Sequence, residues 1–201
     1  MARRIKKLKK KPLIVICSEG GQKSSEYYYF RNFKTRDLRI QFSTGNNTDP
    51  IGMLNNFLDY IKNEDIDSED NCRKFLLFDT DLDEKRIKEI ISIREKCKKH
   101  NIEIIISAPT FEIWYVMHFR DNKLIFSSSQ KVKLEVSKLF NCEYVESMDV
   151  YKLINSKQSF AVDVAKKVEK KNAYINSDII YSNPISDIYK IIEAITEFSN
   201  E

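Results

Sequence analysis

The stretch LLFDTDLDE at residues 76–84 sets Asp79, Asp81, Asp83 and Glu84 directly after an apolar run, with Asp70 a little upstream. Two further acidic groups follow apolar runs. Ser18-Glu19-Gly20-Gly21 comes after LIVIC, and Glu112 stands inside TFEIWYVMHF, after Ala108-Pro109. Carboxylates at such places cap helices, hold a cation or face water. Gathered in one place they repel one another unless a cation lies between them, and hard divalent ions choose oxygen ligands. Glu19, Asp79 and Asp81 are therefore the candidate metal ligands, for Mg2+ or Mn2+. Glu112, flanked by Phe111, Ile113 and Trp114, is costly to bury without a partner. It belongs either to a site, completing the set Glu19, Asp79, Asp81 and Glu112, or to a structural hydrogen-bond network. Asp83 and Glu84 read as residues of a first helical turn.

These acids need elements that bring them together. PLIVIC (12–17), LRIQFS (38–43), RKFLLFD (73–79) and IEIIIS (102–107) read as strands, mostly as continuous apolar runs of the kind buried on both faces. Helices are expected over 24–33, with Ser24 or Ser25 as N-cap, over 49–63, with Asp49 as N-cap and Pro50 at the first position, over 83–100 and over 110–119. Alternation of this kind predicts an α/β fold: a mainly parallel sheet with helices on both faces. Residues 127–140, 159–171 and 185–198 have helical spacing and are expected to pack on that core. The division is a basic arm over 1–11, an α/β core over 12–120 and a helical part over 121–201. In an open sheet of this type, sites form beyond the carboxyl ends of the strands. Parallel strands would deliver all three acidic groups to the same edge.

Composition bounds the partners. The 201 residues carry a formal charge of +4, yet MARRIKKLKKK at the start holds seven basic residues and no acid. Beyond it, 27 Lys and Arg face 30 Asp and Glu. Arg3, Arg4, Lys6 and Lys7 are candidate phosphate contacts, through counterion release, or else part of a solvated tail. No apolar run approaches the roughly 20 residues needed to cross a bilayer, and no secretory signal is recognisable. The four cysteines have no CxxC spacing, which disfavours disulfides and zinc and agrees with a cytoplasmic protein.

Other residue types weigh less. Gly20-Gly21 is no P-loop, since no GxxxxGK[ST] follows. Lys23 is a candidate phosphate contact or a solvated lysine. His118, six residues after Glu112, points roughly 120° away from it on a helix and reads as structural. His100 reads as a helix-end dipole partner. Of Tyr27, Tyr28, Tyr29 and Phe30, at least two are expected in the core, stacking on bases being the alternative use.

A glutamate with glycine after the first strand, then Asp-x-Asp after a later one, resembles the Toprim pattern of topoisomerases, primases, OLD-type nucleases and maturase ribonucleases. More specifically, LIVICSEGGQKSSEYYYF (13–30), FLLFDTDLDE (75–84), ISAPTFEIWYVMHF (106–119) and SNPISDIYKII (182–192) resemble the RloB-like family. The Phe-Glu-x-Trp-x-x-x-His-Phe run is the most specific of these. Ala108-Pro109 stands where the family has Asn-Pro, and Ile185-Ser186 where it has Ser-Thr. The resemblance implies a Toprim-like core and a role in prokaryotic defence against phage, beside an ABC-like or AAA-type ATPase. Related effectors cut nucleic acid, some of them tRNA.

Three functions compete. The first is a metal-dependent nuclease, with the acids carrying one or two metal ions and Glu19 as ligand or general base. The second is a non-catalytic sensor or adaptor that binds a partner ATPase or nucleic acid. A primase or strand-transfer enzyme ranks last, for want of room. RNA against DNA, and monomer against homodimer, stay open.

Overall fold

Alternation along the strands decides how the sheet is covered. The computed structural model describes residues 11–43, 47–121, 125–175 and 178–199. Arg3, Arg4, Lys6 and Lys7 of the basic arm lie outside the described residues. Strands β1 (Leu13–Cys17), β2 (Arg39–Ser43), β3 (Cys72–Asp79), β4 (Ile102–Ala108) and β5 (Ile185–Ser186) form one sheet in the order β2-β1-β3-β4-β5. The first four are parallel and β5 runs antiparallel to β4. Leu13, Val15, Cys17, Leu76, Phe78 and Ile106 point to one face, where helices α2 (Pro50–Asn63) and α3 (Glu84–Lys99) cover them. Ile14, Ile16, Phe75, Leu77 and Ile105 point to the other. That second face is covered by α1 (Ser25–Phe30), α4 (Ile113–Met117), α5 (Ser129–Phe140), α6 (Tyr151–Ile154), α7 (Gln158–Ala173) and α8 (Ile188–Ser199). Both faces are dry, which is why β1 and β3 read as unbroken apolar runs.

The strand order contains a reversal. From β1 the chain moves one way, through α1, to β2. It then crosses β1 on the opposite face, through α2, to β3, and continues through α3 to β4. Right-handed crossovers require this change of face when the direction changes. The reversal leaves a crevice outside the carboxyl ends of β1 and β3, the position where open α/β sheets hold ligands. This is a Toprim-like α/β architecture with a helical C-terminal stretch.

Local signals hold the helices where the sequence places them. The Asp49 carboxylate accepts from Gly52 N at 2.7 Å, one residue ahead of Pro50. Asp83 caps α3, accepting from Lys85 N at 2.7 Å and Arg86 N at 3.2 Å. Ser24 caps α1.

Two expectations need correction. The helix expected over 110–119 is only Ile113–Met117, because Thr110–Glu112 turn tightly, with Ile113 N bonded to Thr110 O and Trp114 N to Phe111 O. The helix expected over 185–198 begins at Ile188, since Ile185 and Ser186 pair with Ala108 and Ser107 as a short strand. Asp187 fastens that strand, exchanging bonds with the Ile106 backbone through its own N–H and its carboxylate. An edge of β4 that helix could not satisfy is thereby paired.

The cap on α3 gives a direct test. Asp83→Ala is expected to cost about 1 kcal/mol, or about 2–4 °C in Tm for a chain of this size, with divalent-cation affinity unchanged. Loss of cation binding at constant Tm would make Asp83 a ligand instead.

Candidate active site

Asp79 is the last residue of β3 and has the parity of Phe75 and Leu77, so it turns to the face covered by α1, α4 and α5. Register sets its height. Asp79 lies beside Ser107 of β4, and β3 runs three residues beyond the Leu76 that pairs with Cys17, the end of β1. Past Cys17 the chain reaches Glu19 and turns through Gly20 and Gly21. A Cβ on Gly20 would lie 2.3 Å from that of Ser24, and Gly21 has a φ of +56°. The glycine pair thus lets α1 start close against the end of β1, which brings Ser25 and Glu26 over the sheet edge.

A cavity of about 170 Å³ results. Glu19, Glu26, Asp79 and Glu112 line it from the core, Lys133 and Glu146 from the C-terminal part, and Leu77 and Phe111 add apolar surface. Glu112 is 2 % exposed and is fully engaged. Its Oε1 accepts from Ser25 Oγ at 2.7 Å and from the Tyr144 hydroxyl at 2.9 Å, while Oε2 lies 2.7 Å from Thr110 Oγ1. Thr110 Oγ1 is also 2.8 Å from Asp79 Oδ2. One hydroxyl proton cannot serve two carboxylates. The bridge is complete when one of the acids carries a proton of its own.

The electrostatics agree. Burial, and after it the charges of Glu26 and Glu112, push Asp79 well above the usual carboxylate range. Burial, with a further contribution from Glu112, pushes Glu26 up from 4.5 to about 7. Burial works against the Lys133 ammonium. The bond to Glu146 and the fields of Glu112, Glu146 and Asp79 outweigh it and raise its pKa.

Glu19, in the same lining, is paired with an arginine. The Arg86 guanidinium pairs with its carboxylate, while Nε donates to Asp79 O at 2.5 Å and Nη1 to Thr48 O at 3.1 Å. Asp81 lies outside the cavity lining. It has a φ of 48° and accepts from Ser129 Oγ at 2.6 Å, so reaching the cavity would mean leaving Ser129. Lys23 is exposed and outside the lining. Among the described residues no group of three His, Cys, Asp or Glu side chains is arranged to hold a metal ion. The donors are nonetheless of the kind a hard cation selects: carboxylate oxygens in excess of basic groups, Glu112 buried and Glu19, Glu26 and Asp79 half-buried, with Glu26 and Asp79 pushed toward the protonated state.

The remaining singled-out residues lie outside the cavity lining. His118 is completely buried, with Nδ1 2.8 Å from Trp114 O, and burial lowers its pKa to about 4. His100 is the C-cap of α3. Tyr29 and Phe30 are buried in the core, whereas Tyr27 and Tyr28 are half-buried, with Arg31 over the Tyr28 ring at 4.6 Å. All four cysteines are free. Glu26, Lys133, Tyr144 and Glu146 were not singled out in the sequence. Glu26 had a signal, being in the first turn of the helix that follows the Glu19 loop. The other three lie on elements whose placement over the sheet edge no local pattern encodes.

A proton-linked stability follows. Glu26 is raised in the folded chain, so it binds more protons there than unfolded between about pH 4.5 and 7, and its effect is to lower stability as pH rises through that window. His118 is depressed and acts oppositely between about pH 4 and 6.5. Comparison with Glu26→Gln isolates the first. In metal-free buffer the variant is expected to match the wild type in Tm near pH 5 and exceed it near pH 8. A difference independent of pH would show that Glu26 is not held protonated.

No helix among the described residues is long and apolar enough to cross a membrane. Comparison with curated proteins and with solved structures gives no match. The family model described as RloB-like protein matches residues 14–195. With most of its length matched, this chain belongs to the RloB-like family.

Proposed function

We propose that the chain is a divalent-metal-dependent nuclease that acts as an effector in prokaryotic anti-phage defence, beside an ABC-like or AAA-type ATPase. Its substrate on this reading is nucleic acid, with tRNA a candidate. The observation that carries the reading is the convergence of Glu19, Asp79 and Glu112, from three separate strand ends, with Glu26 from α1, on one cavity at the strand-order reversal.

Mg2+ or Mn2+ would be held by Asp79 and Glu19, with Glu26 beside them. Bound there, the ion would polarise a phosphoryl oxygen and lower the pKa of the attacking water. The protein's own groups prepare the place. Glu112, fixed by Ser25 and Tyr144, sets the Thr110 hydroxyl, which in turn orients Asp79. Arg86 keeps the Glu19 carboxylate in position at the end of β1. Leu77 and Phe111 give the cavity its apolar wall. The adaptor reading draws on the Glu19–Arg86 pair, which would leave Glu19 with a structural task and no ion to hold.

The test co-expresses wild-type, Glu19→Ala or Asp79→Asn protein with the partner ATPase and challenges the cells with phage. Total tRNA and genomic DNA are then run on gels. Cleavage of one of them in the wild type, lost together with protection in both variants, is the expected result. Intact nucleic acid with protection retained in all strains would refute the nuclease and favour the adaptor.

A further inference from the structure

Anions outnumber cations in the cavity. Five carboxylates line it, and Lys133 is the one basic residue among the described lining residues. A phosphodiester brings another negative charge into that field, so a nucleic-acid strand needs a positive group at its point of entry. Lys133 reaches the cavity from α5. Its Nζ is paired with Glu146 Oε1, and the two side chains are 34 % and 55 % exposed. Glu146 is anchored far less than Glu112. It lies in the turn after α5, outside helix and strand, whereas Glu112 is buried under three hydroxyl groups.

An ion pair this open to water is weakly held. Lysine suits an exchange of partners, since its ammonium is a point charge on a flexible stem with no fixed bonding plane. The fields of Glu112 and Asp79 reach it as well, so its charge belongs to the cavity as well as to the surface. We propose that Lys133 is a substrate-binding residue that contacts a phosphate oxygen of the bound strand, and that Glu146 is the carboxylate on which it rests when no strand is present. This rests on the reading of the cavity as a phosphodiester site.

The experiment is a double-mutant cycle on the full chain. Binding of a short fluorescent oligonucleotide, as RNA and as DNA, is followed by anisotropy across a salt series, with Ca2+ replacing Mg2+ to keep the strand intact. Lys133→Gln is expected to weaken binding on the order of tenfold and to lower the log–log salt slope by about one. Lys133→Arg, which keeps the charge, restores the slope. Glu146→Gln tightens binding several-fold in the wild type, and by a distinctly smaller factor in the Lys133→Gln background, where only the loss of a lining anion remains. A Glu146→Gln gain that is equal in both backgrounds, or an unchanged slope in Lys133→Gln, overturns the proposal and leaves the nuclease reading standing. Failure of the wild-type chain to bind either oligonucleotide at low salt removes both. Thermal melts confirm that the variants remain folded.

Discussion

Thr110 stands between Asp79 and Glu112 with one proton to give, and much of the site's organisation depends on that bridge. Its hydroxyl ties the end of β3 to the turn before α4, so two acids from neighbouring strands are held in one network. Three hydroxyl groups surround Glu112 and offset part of the cost of burying its charge. Such networks are rigid when satisfied and costly when one member is missing. The proton shortage at Thr110 makes this one complete only with an added positive charge, a proton or a cation. The strain of the isolated acid cluster and the raised proton affinity of Asp79 are thus the same property.

Around this bridge the sheet supplies position. Asp79 reaches the crevice because β3 outruns β1 and because its parity matches Leu77. Glu19 reaches it because two glycines let the chain turn back at once into α1. A one-residue slip of β3 would send Asp79 to the opposite face, under α2 and α3. The hydrophobic alternation of Phe75, Leu76, Leu77 and Phe78 between the two cores therefore guards the position of Asp79 as well as the fold.

Much of this was legible in the sequence. The apolar runs, the Asp49 and Ser24 caps and the alternation of strands with helices led to the parallel sheet, and the strand ends led to Glu19, Asp79 and Glu112. What was not legible depended on contacts distant along the chain. Ile185-Ser186 continued a helical pattern, and only the unpaired edge of β4 made it a strand. Asp81 was grouped with Asp79 by proximity in sequence, but the left-handed turn after β3 directs it to Ser129. Lys133, Tyr144 and Glu146 belong to a helix and a loop of ordinary composition, and their part in the cavity arises from how α5 is laid across the sheet.

The cavity walls are also separated in time. Glu19, Asp79 and Glu112 leave the ribosome before Lys133, Tyr144 and Glu146, and synthesis runs from the N-terminus at roughly 5–20 residues per second. A nascent chain ending near residue 120 has Glu19, Asp79 and Glu112 in hand, but Glu112 lacks the Tyr144 hydroxyl and the crevice lacks Lys133, its one basic residue among the described lining residues. The pocket closes only when Glu146 has been made, after four of its five lining acids. A chain that stops short of α5 therefore carries no complete pocket, and the order of the elements keeps each copy incomplete until Glu146 has been delivered.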